Sequence, residues 1–100
     1  MADYWITFRL KDNADYPRRY RVFLQALGNV SSNPWDEPTS FIAFESQHTI
    51  DQIGIYLKGH IDTAADIFVI RQIGNTDTRY AGTAEKPTLL TRYFPGAKKL

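Results

Sequence analysis

The sequence predicts an α+β fold in which a strand, a helix and a strand occur twice over. Three observations lead there. Residues 4–10 and 66–73 carry the apolar pattern of strands, residues 16–27 and 50–61 space their apolar side chains as helices do, and turn or capping residues separate these segments. A chain of 100 residues forms one domain, 1–100, with its core in 4–73 and a C-terminal loop and extra strand in 74–100.

In Tyr4-Trp5-Ile6-Thr7-Phe8-Arg9-Leu10, the residues Ile6, Phe8 and Leu10 alternate with Trp5, Thr7 and Arg9. Period two marks a strand with one buried face, and Ile6, Phe8 and Leu10 make the better core row. Lys11 to Asp15 supply a polar turn, with Asp15 and Pro17 where an N-terminal cap and a first-turn proline belong. A helix follows from Tyr16, its buried side formed by Tyr16, Tyr20, Phe23, Leu24 and Leu27, with Gly28 and Asn29 as the stop.

Between Asn29 and Trp35 there is room for a short edge strand, and Pro34 and Pro38 bracket a loop carrying Asp36 and Glu37. Residues 39–45 read as the next strand. Thr49-Ile50-Asp51-Gln52 is a capping box, in which hydroxyl and amide side chains satisfy each other's backbone donors. It opens a helix whose stripe is Ile50, Ile53, Leu57 and Ile61. Asp66 to Ile73 reads as a largely buried strand.

The order is thus βαββαβ, the ferredoxin-like plan: a four-stranded antiparallel sheet with two helices on one face. Residues 75–85 read as polar loop. Residues 88–94, Thr-Leu-Leu-Thr-Arg-Tyr-Phe, have the composition of one more strand before Pro95-Gly96, and such a strand pairs with an edge, its own sheet's or that of a second copy across a dimer axis.

Composition narrows the chemistry. At 43% hydrophobic and 14% aromatic the chain folds rather than staying disordered. With no cysteine it has no disulfide, thiolate metal site or thiol nucleophile. No run approaches the roughly 18 apolar residues of a membrane span, and the N-terminus lacks a signal pattern, so a cytoplasmic protein with no membrane partner is expected. The net charge of +1 is uneven: residues 1–73 hold seven Lys/Arg and nine Asp/Glu, residues 74–100 five and two. A basic tail suits nucleic acid or an acidic partner.

Together, the strand, turn and basic helix of residues 4–28, the strand ending Ser40-Phe41-Ile42-Ala43-Phe44-Glu45-Ser46, and Thr49-Ile50-Asp51-Gln52…Leu57…Ile61-Asp62…Asp66-Ile67-Phe68-Val69-Ile70 resemble the small ferredoxin-like proteins of the Cas-two, VapD and SinR-like group. The first of these is the CRISPR-associated small subunit of the spacer-integration complex; the SinR-like branch is the closer match. The resemblance implies a homodimer whose C-terminal strand extends the partner's sheet. It also implies, in the ribonuclease-active members, an acid at the end of the first strand that holds a divalent cation. Here that position, after Ile6-Thr7-Phe8, is Arg9.

The candidate residues follow. Arg9, Arg18, Arg19 and Arg21 are candidates for RNA or DNA phosphates, with Trp5 and Phe41 as stacking surfaces. Trp5, Leu89, Leu90, Tyr93 and Phe94 are the candidate dimer interface. Asp12 is the one catalytic candidate, and only in an alternative reading as a Mg²⁺-dependent endoribonuclease, since Asp12 and Asp15 already serve the turn and cap. No metal site or cofactor is otherwise expected: His48 and His60 are twelve residues apart at opposite helix ends. The sequence reading is therefore a homodimeric, nucleic-acid-associated binding module without metal-dependent nuclease activity. A protein-interaction scaffold, with Trp35 in its acidic loop as the handle, is the further alternative.

Overall fold

The computed structural model describes residues 1–75 and 77–100; the predicted loop of 75–85 therefore falls partly outside the described residues, at Thr76. Among the described residues, nine elements follow one another: β1 (Ala2–Arg9), α1 (Tyr16–Val30), β2 (Ser32–Trp35), β3 (Phe41–Ser46), α2 (Ile50–Lys58), β4 (Ile67–Gln72), β5 (Thr78–Gly82), α3 (Pro87–Tyr93) and β6 (Lys98–Lys99). They form one mixed sheet of six strands in the order β2-β3-β1-β4-β5-β6. The predicted four-stranded antiparallel sheet is thus too small. Every pairing from β2 to β5 is antiparallel, and β6 joins β5 in parallel.

The alternation of β1 decides which face is the core. Ile6 lies opposite Ile42 of β3 and Ile70 of β4, and Phe8 opposite Phe68, so successive apolar rows face the same way. Onto them pack Phe23, Ala26 and Leu27 from α1 and Ile50, Ile53 and Leu57 from α2. The Phe23 ring sits 4.8 Å from Phe8 and 6.2 Å from Phe68, in tilted geometry. Each fully buried large side chain here stabilises the fold by about 1.5–3 kcal/mol. Both α1 and α2 therefore cover one face.

The helix ends depart from expectation in instructive ways. At α2 the capping box forms as predicted: Gln52 N donates to the Thr49 hydroxyl at 3.2 Å, and Thr49 N donates to the Gln52 side chain at 2.9 Å. At α1, Asp15 occupies the cap position but makes no capping bond; its carboxylate accepts from Arg18 instead. That charge-assisted pair holds the Asp15 carboxyl below its usual range and the Arg18 guanidinium above its own. The helix also runs through Gly28 and Asn29 to Val30, because Gly28 is right-handed there and Val30 still packs on the core. Conversely α2 stops at Lys58, and Ile61 packs on the core from the loop beyond it.

The largest correction concerns the C-terminal quarter. Residues 88–94 are not a strand: Pro87 to Tyr93 form helix α3, with Pro87 in its first turn and Thr91 Oγ1 donating to the Pro87 carbonyl at 3.2 Å. The predicted polar loop meanwhile contains strand β5. A parallel β5–β6 pair needs a crossover, and α3 supplies it. It passes over the face opposite α1 and α2, where Phe94 contacts Trp5. Leu100 then returns to the first face and packs against Gly54 of α2. Among the described residues, no helix is long and apolar enough to cross a membrane.

Candidate interaction surface

The second face of the sheet carries Asp3, Trp5, Thr7 and Arg9 from β1, Phe41, Ala43 and Glu45 from β3, and Val69 and Arg71 from β4, as the register requires. Aromatic side chains form a row across it. The Trp35 ring meets Phe41 edge-on at 6.1 Å, Phe41 stacks on Trp5 at 5.9 Å, and Trp5 tilts against Phe94 at 6.1 Å. The Arg71 guanidinium closes the row 5.7 Å above the Phe94 ring. Each ring pair contributes about 0.5–1.5 kcal/mol beyond its buried area. The row is held in place ring against ring, yet one end of it is uncovered: Trp35 is 49% exposed.

This face is also divided in charge. Asp3 and Glu45 stand directly opposite one another at one end, with Trp35, Ala43 and Ile73 lining the same open depression. Like charges at directly paired strand positions repel. Asn33 donates to Glu45 at 3.3 Å, which offsets part of that cost. Arg9 lies at the other end, 3.5 Å from Glu85 with both side chains in water.

The four arginines named as phosphate ligands do not form one cluster. Arg9 pairs with Glu85 and Arg18 with Asp15. Arg19 is 16% exposed and pairs with Asp66, which is fully buried. Arg21 is exposed on α1, away from the aromatic row. Of the interface candidates, Trp5, Leu90 and Phe94 are half-buried within the chain, whereas Leu89 and Tyr93 are exposed on α3.

Asp66 is the residue that sequence reasoning missed. One carboxylate oxygen accepts from Lys11 N at 2.8 Å; the other accepts from Asp62 N at 2.8 Å and from the Arg19 guanidinium. Burial pushes its carboxyl up, but the hydrogen bonds from Arg19, Lys11 and Asp62 prevail and hold it below the usual carboxylate range. Its backbone carbonyl accepts from Thr83 N at 3.0 Å. The single side chain thus ties the β1–α1 turn, α1 and the α2–β4 loop together. The signal in the sequence was a charged residue immediately before the most apolar strand, where a carboxylate persists only with partners.

Asp12 is exposed and lines a cleft of about 480 Å³ with Arg9, Lys11, Thr83 and Glu85. A second cleft, of about 600 Å³, opens at the other end of the sheet between Tyr4, His48, Asp51, Asp77 and Arg79. Arg79 Nε donates to Asp51 at 2.6 Å, and the Tyr4 hydroxyl donates to the His48 carbonyl at 2.9 Å. Burial, helped by the charge of Asp77, raises the Tyr4 phenol above its ordinary value. His60 packs against Tyr56, far from His48 in sequence and at the opposite end of α2. Among the described residues, no three His, Cys, Asp or Glu side chains converge as a metal-binding group.

Comparisons with models of known protein families, with curated proteins and with solved structures give no match.

Proposed function

We propose that the protein is a homodimeric binding module that works through the sheet face α1 and α2 leave uncovered. In this reading it is a ferredoxin-like chain of the Cas-two, VapD and SinR-like kind, with β5, α3 and β6 as additions. The antiparallel run β2-β3-β1-β4, with both long helices on one side, supports that plan. A cytoplasmic setting belongs to the same reading.

One observation carries the proposal. Four exposed large apolar side chains belong to this side of the molecule: Trp35 at the end of the aromatic row, Ile73 in the same depression, and Leu89 and Tyr93 on α3, which leads into Phe94 of the row. A small domain buries a modest share of its surface alone, and a second copy covers such a patch at low cost in specificity, since one surface serves both partners. Nuclease chemistry is not part of the reading: Arg9 stands where active members of that group carry an acid, and it is paired with Glu85.

Nucleic acid as the dimer's ligand is the second reading, favoured by Arg21, which is exposed beside Arg18 on α1. Light scattering at increasing protein concentration tests the first reading, with a dimer expected. Titration with single-stranded RNA and DNA at two salt concentrations tests the second, where Arg18→Ala with Arg21→Ala weakens binding and flattens its salt dependence. Mg²⁺-dependent cleavage of RNA that is lost in Asp12→Ala would overturn the non-nuclease part.

A further inference from the structure

The predicted mode of dimerisation, exchange of residues 88–94 as a strand, does not suit what those residues form. They are helical, and both sheet edges resist strand addition. The β2 edge carries Pro34 and a left-handed Asn33 (φ 51°), with a register irregularity between Ser32 and Trp35; the β6 edge is two residues long.

The second face instead has the relief of a ridge beside a shelf. The ridge is α3, which leaves Glu85 near Arg9, climbs the β1–β4 side of the face and ends with Phe94 wedged against Trp5 and Arg71. Its half-buried residues are Leu90 and Phe94, four apart and turned toward the sheet. Leu89 and Tyr93, also four apart, are turned away from it, with the Arg92 guanidinium over the Tyr93 ring. The shelf is the β2–β3 side, with Trp35 and Ala43 as its floor and the opposed carboxylates Asp3 and Glu45 at its rim, and Ile73, just past the end of β4, borders it across Asp3. The ridge is apolar with a positive charge, and the shelf is apolar with two negative ones.

We propose that two copies dock reciprocally, each α3 lying on the other's shelf, with Leu89 and Tyr93 against the partner's Trp35 and Ala43 and Arg92 between the partner's Asp3 and Glu45. The occupant of the shelf is a second copy, because the complementary surface is present on the same chain. A two-fold axis running along the strands sets each ridge over the other's shelf. An axis across the strands opposes ridge to ridge. The arrangement also relieves the Asp3–Glu45 repulsion, which the isolated chain leaves only partly offset. A standard interface of roughly 800 Å² per copy is a small part of the 6069 Å² available. The inference rests on the homodimer reading and adds its geometry.

Sedimentation velocity on the whole chain tests both and separates them. Arg92→Glu and Asp3→Arg, each alone, set like charges against each other twice per dimer and weaken self-association by about tenfold or more. An equimolar mixture of the two variants forms a heterodimer in which both contacts regain opposite charges, and its affinity returns to within about threefold of the wild type. A folding defect in either variant cannot produce that recovery. A wild-type chain that stays monomeric at roughly 0.2 mM overturns the homodimer and this geometry together. A wild-type dimer that both single variants match, or variants that the mixture does not rescue, overturns the geometry and leaves the homodimer standing.

Discussion

Replacing Asp66 by alanine is expected to be among the most damaging single changes available to this chain. The carboxylate has no exposed surface and accepts three hydrogen bonds, from Lys11 N, Asp62 N and Arg19. Alanine leaves two backbone donors and a guanidinium that is 16% exposed without their acceptor. Breaking one side of a buried ion pair costs about 3–5 kcal/mol. That is a large fraction of the roughly 5–15 kcal/mol typical of a whole domain, and for a chain of this size it corresponds to a fall in Tm of roughly 15–30 °C. An asparagine in its place keeps one acceptor oxygen and the shape, so Asp66→Asn is expected to lose about half as much. Urea denaturation of the three proteins measures this, with m-values compared to confirm a common unfolded state. The pH dependence adds an independent reading. The folded Asp66 carboxyl lies below its unfolded value, so its stabilisation is fully present above about pH 4 and disappears as pH falls through the depressed folded value. Asp66→Asn removes that part of the acid sensitivity. An Asp66→Ala protein within about 1 kcal/mol of wild type, or one with unaltered acid sensitivity, would refute the reasoning.

Three further outcomes are expected. Gly82→Ala places a Cβ 1.9 Å from the Asp66 carbonyl oxygen, at a residue whose φ of 100° L side chains rarely adopt; backbone must move, and urea denaturation is expected to show a loss of about 2–4 kcal/mol. Thr49→Ala removes the acceptor for Gln52 N at the start of α2 and is expected to cost about 1 kcal/mol in the same assay, with the sheet unaltered by NMR chemical shifts. Phe94→Ala removes the wedge that seats α3 on Trp5 and Arg71; since α3 has no buried residue of its own, its amides are expected to lose hydrogen-exchange protection while those of β1 and β4 keep theirs.

What the sequence revealed depended on whether one local signal dominated. The alternation of β1, the capping box of α2 and the apolar run of β4 each had a single physical reading, and each element formed around those residues, although α2 ends at Lys58, short of Ile61. Strand β5 was hidden because Arg79 sits on its core-facing side beside Ala81 and is paired with Asp51, a contact 28 residues away that no window of sequence displays. Helix α3 was read as a strand because threonine, tyrosine and phenylalanine favour strands. The overlooked signals were Pro87 in a first-turn position and the four-residue spacing of Leu90 and Phe94, which decide the matter once the β5–β6 crossover has to be made. The arginines of α1 looked alike in sequence, yet Arg19 holds a buried carboxylate while Arg18 pairs with its own helix's first turn. Which charges are free for a ligand is a property of the fold.

The aromatic row was half legible: Trp5 and Phe41 were placed on the open face, but Trp35 was read at the boundary of a short edge strand and an acidic loop, and Phe94 in a strand on an edge of its own or a second copy's sheet. Their convergence follows from β2 joining the edge and from the α3 crossover.

The central claim, that the uncovered face binds a second copy of the chain, is tested most directly by sedimentation equilibrium of the wild type and Trp35→Ala side by side. The account predicts a wild-type dimer with a Kd of about 1–50 µM. It predicts for Trp35→Ala at least about tenfold weaker association in a chain that stays folded, because Trp35 is half exposed and the loss of its contact with Phe41 costs the fold only about 0.5–1.5 kcal/mol. A wild-type monomer at roughly 0.2 mM, or a Trp35→Ala protein that dimerises as well as the wild type, would contradict it.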